Sequence, residues 1–331
     1  MKRIEKLCFA PPPTIHSKYP TFLKFSAIAL VINSLFSTAG YSNGLSLDGS
    51  DFRTNNGNKD KVYTITSEDQ LGNLSLKLPS SSQKYVLTAE SDSIAVDEVT
   101  STVIKITGTE DSDKNSSIEI GKPMIIGNNN ANQTVYSSSL ISFDDGNNGY
   151  VMADFSTGSI HFQNITLESS SSSGSGIIDA SFAGWAERFD LDFEIDGNLT
   201  FDNISYISDE NENENENKHL INLYHNKPEE DNVIYFNVTG STQINNTTSN
   251  SFLKSDNATA ELKDVTVKGS HFNIFLDLSG KSFTANDISI FNTEIQQLVD
   301  ASKNNFQVNS ISYGGSSEGT FLSEEMNFMN F

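Results

Sequence analysis

The sequence predicts an all-β protein, a parallel β-helix (solenoid) with protruding loops, and three observations carry that prediction. The first is a six-residue phrase that keeps returning. It reads Phe162-Gln163-Asn164-Ile165-Thr166-Leu167, Phe201-Asp202-Asn203-Ile204-Ser205-Tyr206, Leu262-Lys263-Asp264-Val265-Thr266-Val267, Ala285-Asn286-Asp287-Ile288-Ser289-Ile290 and Val308-Asn309-Ser310-Ile311-Ser312-Tyr313. The second is spacing: the anchors Val265, Ile288 and Ile311 stand about 23 residues apart, within the range of solenoid repeats. Asn-Ile-Ser words arise freely in so Asn- and Ser-rich a chain, but equal spacing does not. The third is that residues 41–160 alternate apolar and polar in short runs and show no helical stripe.

Within each phrase, a β-branched anchor followed by Ser/Thr and another apolar residue makes a short strand with the anchor on one face. Asn or Asp just before the anchor suits a corner, because its side chain bonds nearby backbone and tolerates unusual dihedrals. A weaker copy, Tyr235 to Thr239, joins the series if the polar run Asp209 to Lys218 is an insertion that protrudes.

Composition agrees with a thin, extended core. The 331 residues are 36% hydrophobic yet include 22 Phe and 10 Tyr, too many aromatics for a disordered chain. A formal charge of −22 repels phosphate backbones and argues against nucleic acid as a partner. Cys8 is the sole cysteine, so there is no intramolecular disulfide and no cysteine metal site.

In chain order, residues 1–39 read as a secretory signal peptide. Lys2, Arg3, Lys6, Lys18 and Lys24 precede an apolar run from Phe25 to Phe36, and Ser37-Thr38-Ala39 supplies small residues for cleavage. Cleavage would leave a mature charge of about −26. Residues 40–60 are a Gly/Ser/Asn-rich cap or flexible segment, and residues 61–320 are the β-helix. Its early strands are expected around Val62–Thr66, Leu74–Leu78, Tyr85–Leu87, Val103–Ile106 and Ile118–Ile120. Residues 321–331 form a C-terminal tail.

The cleanest alternation is Phe189-Asp190-Leu191-Asp192-Phe193-Glu194-Ile195-Asp196, with Asp190, Asp192, Glu194 and Asp196 on one face. Same-face neighbours on a strand sit about 7 Å apart, within the acid–base separation of an inverting glycosidase. The competing reading is an acidic chain turning one strand face to water, so these four are weak binding candidates and no catalytic residue is assigned. Asp144 to Gly149 lacks the spacing of a calcium loop. Gly315-Ser316-Ser317-Glu318-Gly319 matches a nucleophile elbow, but no histidine follows it. His161, His219, His225 and His271 have no metal-ligand spacing, and His219 and His225 flank strand-like sequence where exposure is expected. No metal or cofactor is expected. The Asn-x-Ser/Thr sequons, such as those at Asn164, Asn203, Asn237 and Asn257, are as frequent as chance allows.

A long basic signal peptide, a nearly cysteine-free acidic body and a strand repeat of about 23 residues resemble the passenger region of a Gram-negative autotransporter. The resemblance covers residues 41 to about 320 in character and rests on no specific motif. It implies a right-handed β-helix, export to the cell surface, outer membrane or extracellular space, and adhesion to a host or surface ligand by a monomer that is not an enzyme. It departs from the family in offering no C-terminal membrane barrel, so a separate outer-membrane β-barrel translocator is an expected partner. The alternative class is a secreted carbohydrate-active β-helix enzyme using the strand carboxylates. A lone Trp185 and the lack of a basic cluster count against it.

Overall fold

The computed structural model describes residues 44–54, 59–108, 115–144, 151–168, 175–182, 189–207, 218–225, 233–302 and 305–315. Among these the protein is all-β. No helix is present, and 27 strands form one sheet of 10 and another of 17. Every strand pairing is parallel except one. Arg53–Thr54 lies antiparallel against Val62 and Lys61, and beside it Phe52 packs on Tyr63 and Tyr85 with ring centroids 6.0 and 5.4 Å apart.

Parallel strands cannot be joined by tight hairpins, so each must pair with a strand met a whole circuit later. The pairings form three ladders that the chain visits in turn. From the 10-stranded sheet it enters one half of the larger sheet, then the other half, and then returns. One such circuit is Ser175–Phe182, Phe189–Ile195, Leu199–Tyr206 and back to Lys218–His225, which pairs with Ser175–Phe182.

In-register parallel pairing places like residues on like. In the smaller sheet one buried column reads Leu47, Leu74, Ile104, Ile141, Ile178, Ile221, Leu253, Leu276. In the larger sheet Phe155, Phe193 and Phe236 follow one another with ring centroids 4.8 and 5.2 Å apart. Two consecutive residues are buried at Val103/Ile104, Leu140/Ile141, Ile177/Ile178, Leu220/Ile221, Phe252/Leu253 and Phe275/Leu276. Neighbours on a straight strand face opposite ways, so the chain bends at each of these pairs. Both side chains then enter the core.

Val265, Ile288 and Ile311 are register partners on adjacent strands, and Ile165 pairs with Ile204. The two groups do not share a column, however. The strand partner of Val265 is Thr242, which lies over Leu199 and Ile160. Val238 departs further, since it pairs with Ile195 and Leu262 in the other half of the sheet. The six-residue phrase therefore marks strands generally, and the backbone decides which strand meets which.

Corners do carry left-handed backbone, at Asn257 and Gly280 (φ 59° and 91°) and most regularly at one other geometric position. Asn164, Asn203, Asn246, Gly269, Asn292 and Gly315 have φ of 53°, 57°, 49°, 60°, 48° and 114°, and each follows residues paired in a single register series. Only Asn164 and Asn203 stand just before an anchor as expected. In the later circuits the corner comes four residues after the anchor, while Asp264 and Asp287 are strand residues. The corner asparagines also bond one another: Asn203 Nδ2 donates to Asn164 Oδ1 at 2.8 Å, and Asn164 Nδ2 to Asn128 O at 2.8 Å.

Two expectations on stability follow. Ile288→Asp should lower the melting temperature by an amount corresponding to several kcal/mol, because it buries an unpaired charge in the column; unchanged melting would refute the stacking. Asn203→Ala should cost about 1–2 kcal/mol through its left-handed backbone and lose the bond to Asn164, whereas Asn203→Gly should recover most of the backbone part. Equal losses in chemical denaturation would show that the corner is not strained.

Candidate functional site

The strand Phe189–Ile195 follows the alternation in its sequence. Leu191, Phe193 and Ile195 are buried in the core, while Asp190, Asp192 and Glu194 emerge on the outer face. Asp196 lies beyond the strand in the turn that follows. There its Oδ1 accepts a 3.1 Å hydrogen bond from Thr239 Oγ1, so it is separated from the other three in role.

Parallel pairing extends this face across neighbouring strands. Lys84, Ser117, Asp154, Asp192, Tyr235, Thr259 and Ser282 make one outward column. Glu119, Ser156, Glu194, Asn237 and Glu261 make the next. Asp154 and Asp192 are thus adjacent along the hydrogen-bonding direction, at a strand separation of about 4.8 Å. Partial burial, with Asp154, Glu194 and Asp190 close by, raises Asp192 above the usual carboxylate range. Tyr235 donates to Glu261 Oε2 at 2.8 Å, and burial together with that carboxylate pushes its phenol up to about 12. At the margins Lys84 Nζ lies 2.6 Å from Glu119 Oε2, and Asn115 Nδ2 donates to Asp154 Oδ1 at 2.7 Å.

All these carboxylates project from one sheet face and so point the same way. A glycosidase acid and its partner must approach the scissile bond from opposing sides, and among the described residues this face brings no such opposed pair together. Among the described residues no group of three His, Cys, Asp or Glu side chains is placed to hold a metal ion. What the face offers is a broad acidic surface punctuated by Tyr, Ser, Thr and Asn, suited to many weak polar contacts and to cationic groups.

A second polar cluster, absent from the sequence reading, lies on the smaller sheet. Lys218–His225 is buried along nearly its whole length, and the expectation that His219 and His225 are exposed is reversed. Lys218, read as the end of a protruding loop, is the first residue of that strand, while residues 209–217 lie outside the described residues. His219 Nδ1 lies 2.8 Å from Ser251 Oγ, its Nε2 has no partner among the described residues, and Tyr206 Oη donates to its carbonyl. Burial, aided by Lys254, pushes the His219 imidazole down to about 3. Asn222 Nδ2 donates to Asp179 Oδ1 at 3.0 Å. Burial raises Asp179 to about 6, against hydrogen bonds from Ser181 and Asn222 that favour its charge. The available signal was faint: a single Asp between Ile178 and Ala180, inside a strand.

Other sequence features end without a site. His271 Nδ1 sits 3.2 Å from Glu294 Oε2 on the adjacent strand. Residues 1–39, expected as a signal peptide, residues 145–149 of the acidic turn, Trp185, residues 316–319 and the expected tail 321–331 lie outside the described residues. Comparison with family models, curated protein sequences and solved structures finds no match.

The two buried titrating groups act on stability with opposite sign. His219 holds no proton in the folded state until about pH 3, so its contribution is present above about pH 6.5 and is lost as pH falls. Asp179 keeps its proton in the folded state up to about pH 6, so stability declines as pH rises from about 4 to 6. Asp179→Asn, which can still accept from Asn222, should therefore melt higher than wild type at pH 8, with the gap closing near pH 4. A gap independent of pH would show that Asp179 does not titrate in this window.

Proposed function

We propose that this chain is a right-handed parallel β-helix exported by a Gram-negative bacterium, and that it works at the cell surface or outside the cell as a non-enzymatic, passenger-like adhesin. The three parallel ladders visited in fixed order support the β-helix. The adhesive reading rests above all on the uninterrupted outward column from Ser117 through Asp154, Asp192 and Tyr235 to Thr259, a face that repeats polar contacts over successive strands. A binding surface needs area and repetition, and this one has both. Its charge favours a cationic host or surface ligand, since a chain of −22 draws opposite charge and repels like. A separate outer-membrane barrel would deliver the chain.

The glycosidase reading keeps one supporting observation, the raised Asp192. One experiment separates the two. Cells displaying the chain should attach to host-cell monolayers, and attachment should fall about tenfold, the effect of losing about 1.4 kcal/mol, in Asp154→Asn/Asp192→Asn/Glu194→Gln. High salt should weaken the wild type as well. Display that confers no attachment would refute the adhesin. Release of reducing ends from polysaccharide, abolished by Asp192→Asn, would replace it with the enzyme.

A further inference from the structure

Phe291 is the last residue of the strand Ser282–Phe291, stands on the outer face of the larger sheet and is 39% exposed. A single exposed aromatic side chain is ordinary, but this one has a prepared seat. Its register partner on the next strand is Gly314. A Cβ added to Gly314 would stand 3.2 and 3.4 Å from the Phe291 ring atoms Cδ1 and Cε1. The backbone does not call for glycine there, because the φ of Gly314 lies outside the left-handed region. What the glycine supplies is room for the ring to lean over it. The backbone beneath the ring is held as well: the Phe291 carbonyl accepts from the Gly269 N–H at 3.1 Å and from Thr293 Oγ1 at 2.9 Å.

The groups around the ring are polar and of mixed sense. Lys268 precedes Phe291 in the same column and brings an ammonium, which only donates. In the next column, about 7 Å along the strands, the Oγ atoms of Ser289 and Ser312 lie 3.0 Å apart. One of these hydroxyls donates to the other, which leaves the pair one O–H and several lone pairs for a ligand. In the column beyond, Asp287 Oδ1 accepts from Ser310 Oγ, and a carboxylate only accepts. Lys268, Asp287 and Ser312 are exposed, and Ser289 is half-buried.

A ligand here has to satisfy a donor, an acceptor and an aromatic face together. An anion would be repelled by Asp287 and a cation by Lys268, so an ion of either sign is poorly matched. A sugar hydroxyl both donates and accepts, and it pairs equally with ammonium, hydroxyl and carboxylate. The C–H face of a pyranose carries slight positive charge and suits the negative face of an aromatic ring.

We propose that Phe291, with Lys268, Ser289, Ser312 and Asp287, forms a binding site for a neutral oligosaccharide laid along the strands. One sugar ring rests on Phe291, and its hydroxyls and those of the neighbouring sugar reach the serine pair and Asp287. The site lies on the other half of the larger sheet from the Asp154–Asp192 column, and it stands whether or not that column is adhesive.

Saturation-transfer NMR on the full chain tests it, with cello-, malto-, manno- and galacto-oligosaccharides as probes. At least one should bind, and Phe291→Ala should raise its dissociation constant about tenfold with melting unchanged, as expected for an exposed side chain. Gly314→Val, which fills the seat of the ring, should weaken binding likewise, whereas Phe291→Tyr should keep it. Asp154→Asn/Asp192→Asn/Glu194→Gln should bind the sugar as the wild type does. Failure of every probe to bind would overturn the proposal. So would binding that survives Phe291→Ala, which would put the sugar elsewhere, and binding lost in the acidic-face variant alone, which would assign it to that face.

Discussion

In-register parallel pairing is the constraint on which everything else in this structure depends. The hydrogen bonds between strands fix each residue against one partner on the next, and the partner's chemistry is then no longer free. Inside, the consequence is favourable. Leu, Ile and Val form columns in which each side chain excludes water from its neighbours, and Phe155, Phe193 and Phe236 meet at edge-to-face distances. No helix contributes to this core among the described residues, and both sheets supply its side chains. A chain only 36% hydrophobic suffices because its apolar residues are concentrated in these columns.

On the outside the same rule works against the protein. An acidic sequence must set carboxylate beside carboxylate, as at Asp154 and Asp192, where partial burial and then the neighbouring charges raise Asp192. The repulsion is relieved by interleaving: Tyr235 follows Asp192 in its column, and Asn237 separates Glu194 from Glu261. The smaller sheet partly buries Asp179, whose carboxyl is raised by that burial and held by Asn222. The smaller sheet also keeps charge at its surface, as in the exposed Lys105–Asp144 pair at 3.2 Å.

What could be read from the sequence follows the same division. Strand positions were legible wherever alternation was strict, as in Phe189–Ile195, because a period of two needs no knowledge of partners. The spacing of Val265, Ile288 and Ile311 was legible because no insertion interrupts those circuits. Val238 was misplaced because the words around strand anchors are alike in both halves of the larger sheet, and only the backbone pairing distinguishes them. Burial of His219 and Asp179 was illegible for a related reason. Their surroundings are assembled from residues 32 and 43 positions away, through Ser251 and Asn222, and no local pattern announces them.

The interval between bonded corner residues is unequal along the chain: 39 residues from Asn164 to Asn203, 43 from Asn198 to Ser241, and 23 from Asn250 to Asn273. Apart from one shift between Leu45 and Ser46, the strands stay in register, so the surplus is confined to the connections, where lengthening a loop costs little. This sets the kind of change that inheritance can tolerate. Losing one residue inside a strand would turn its apolar side chains to water, whereas gaining ten in a connection leaves every column intact. Duplicating a 23-residue stretch would add a circuit and disturb none already present.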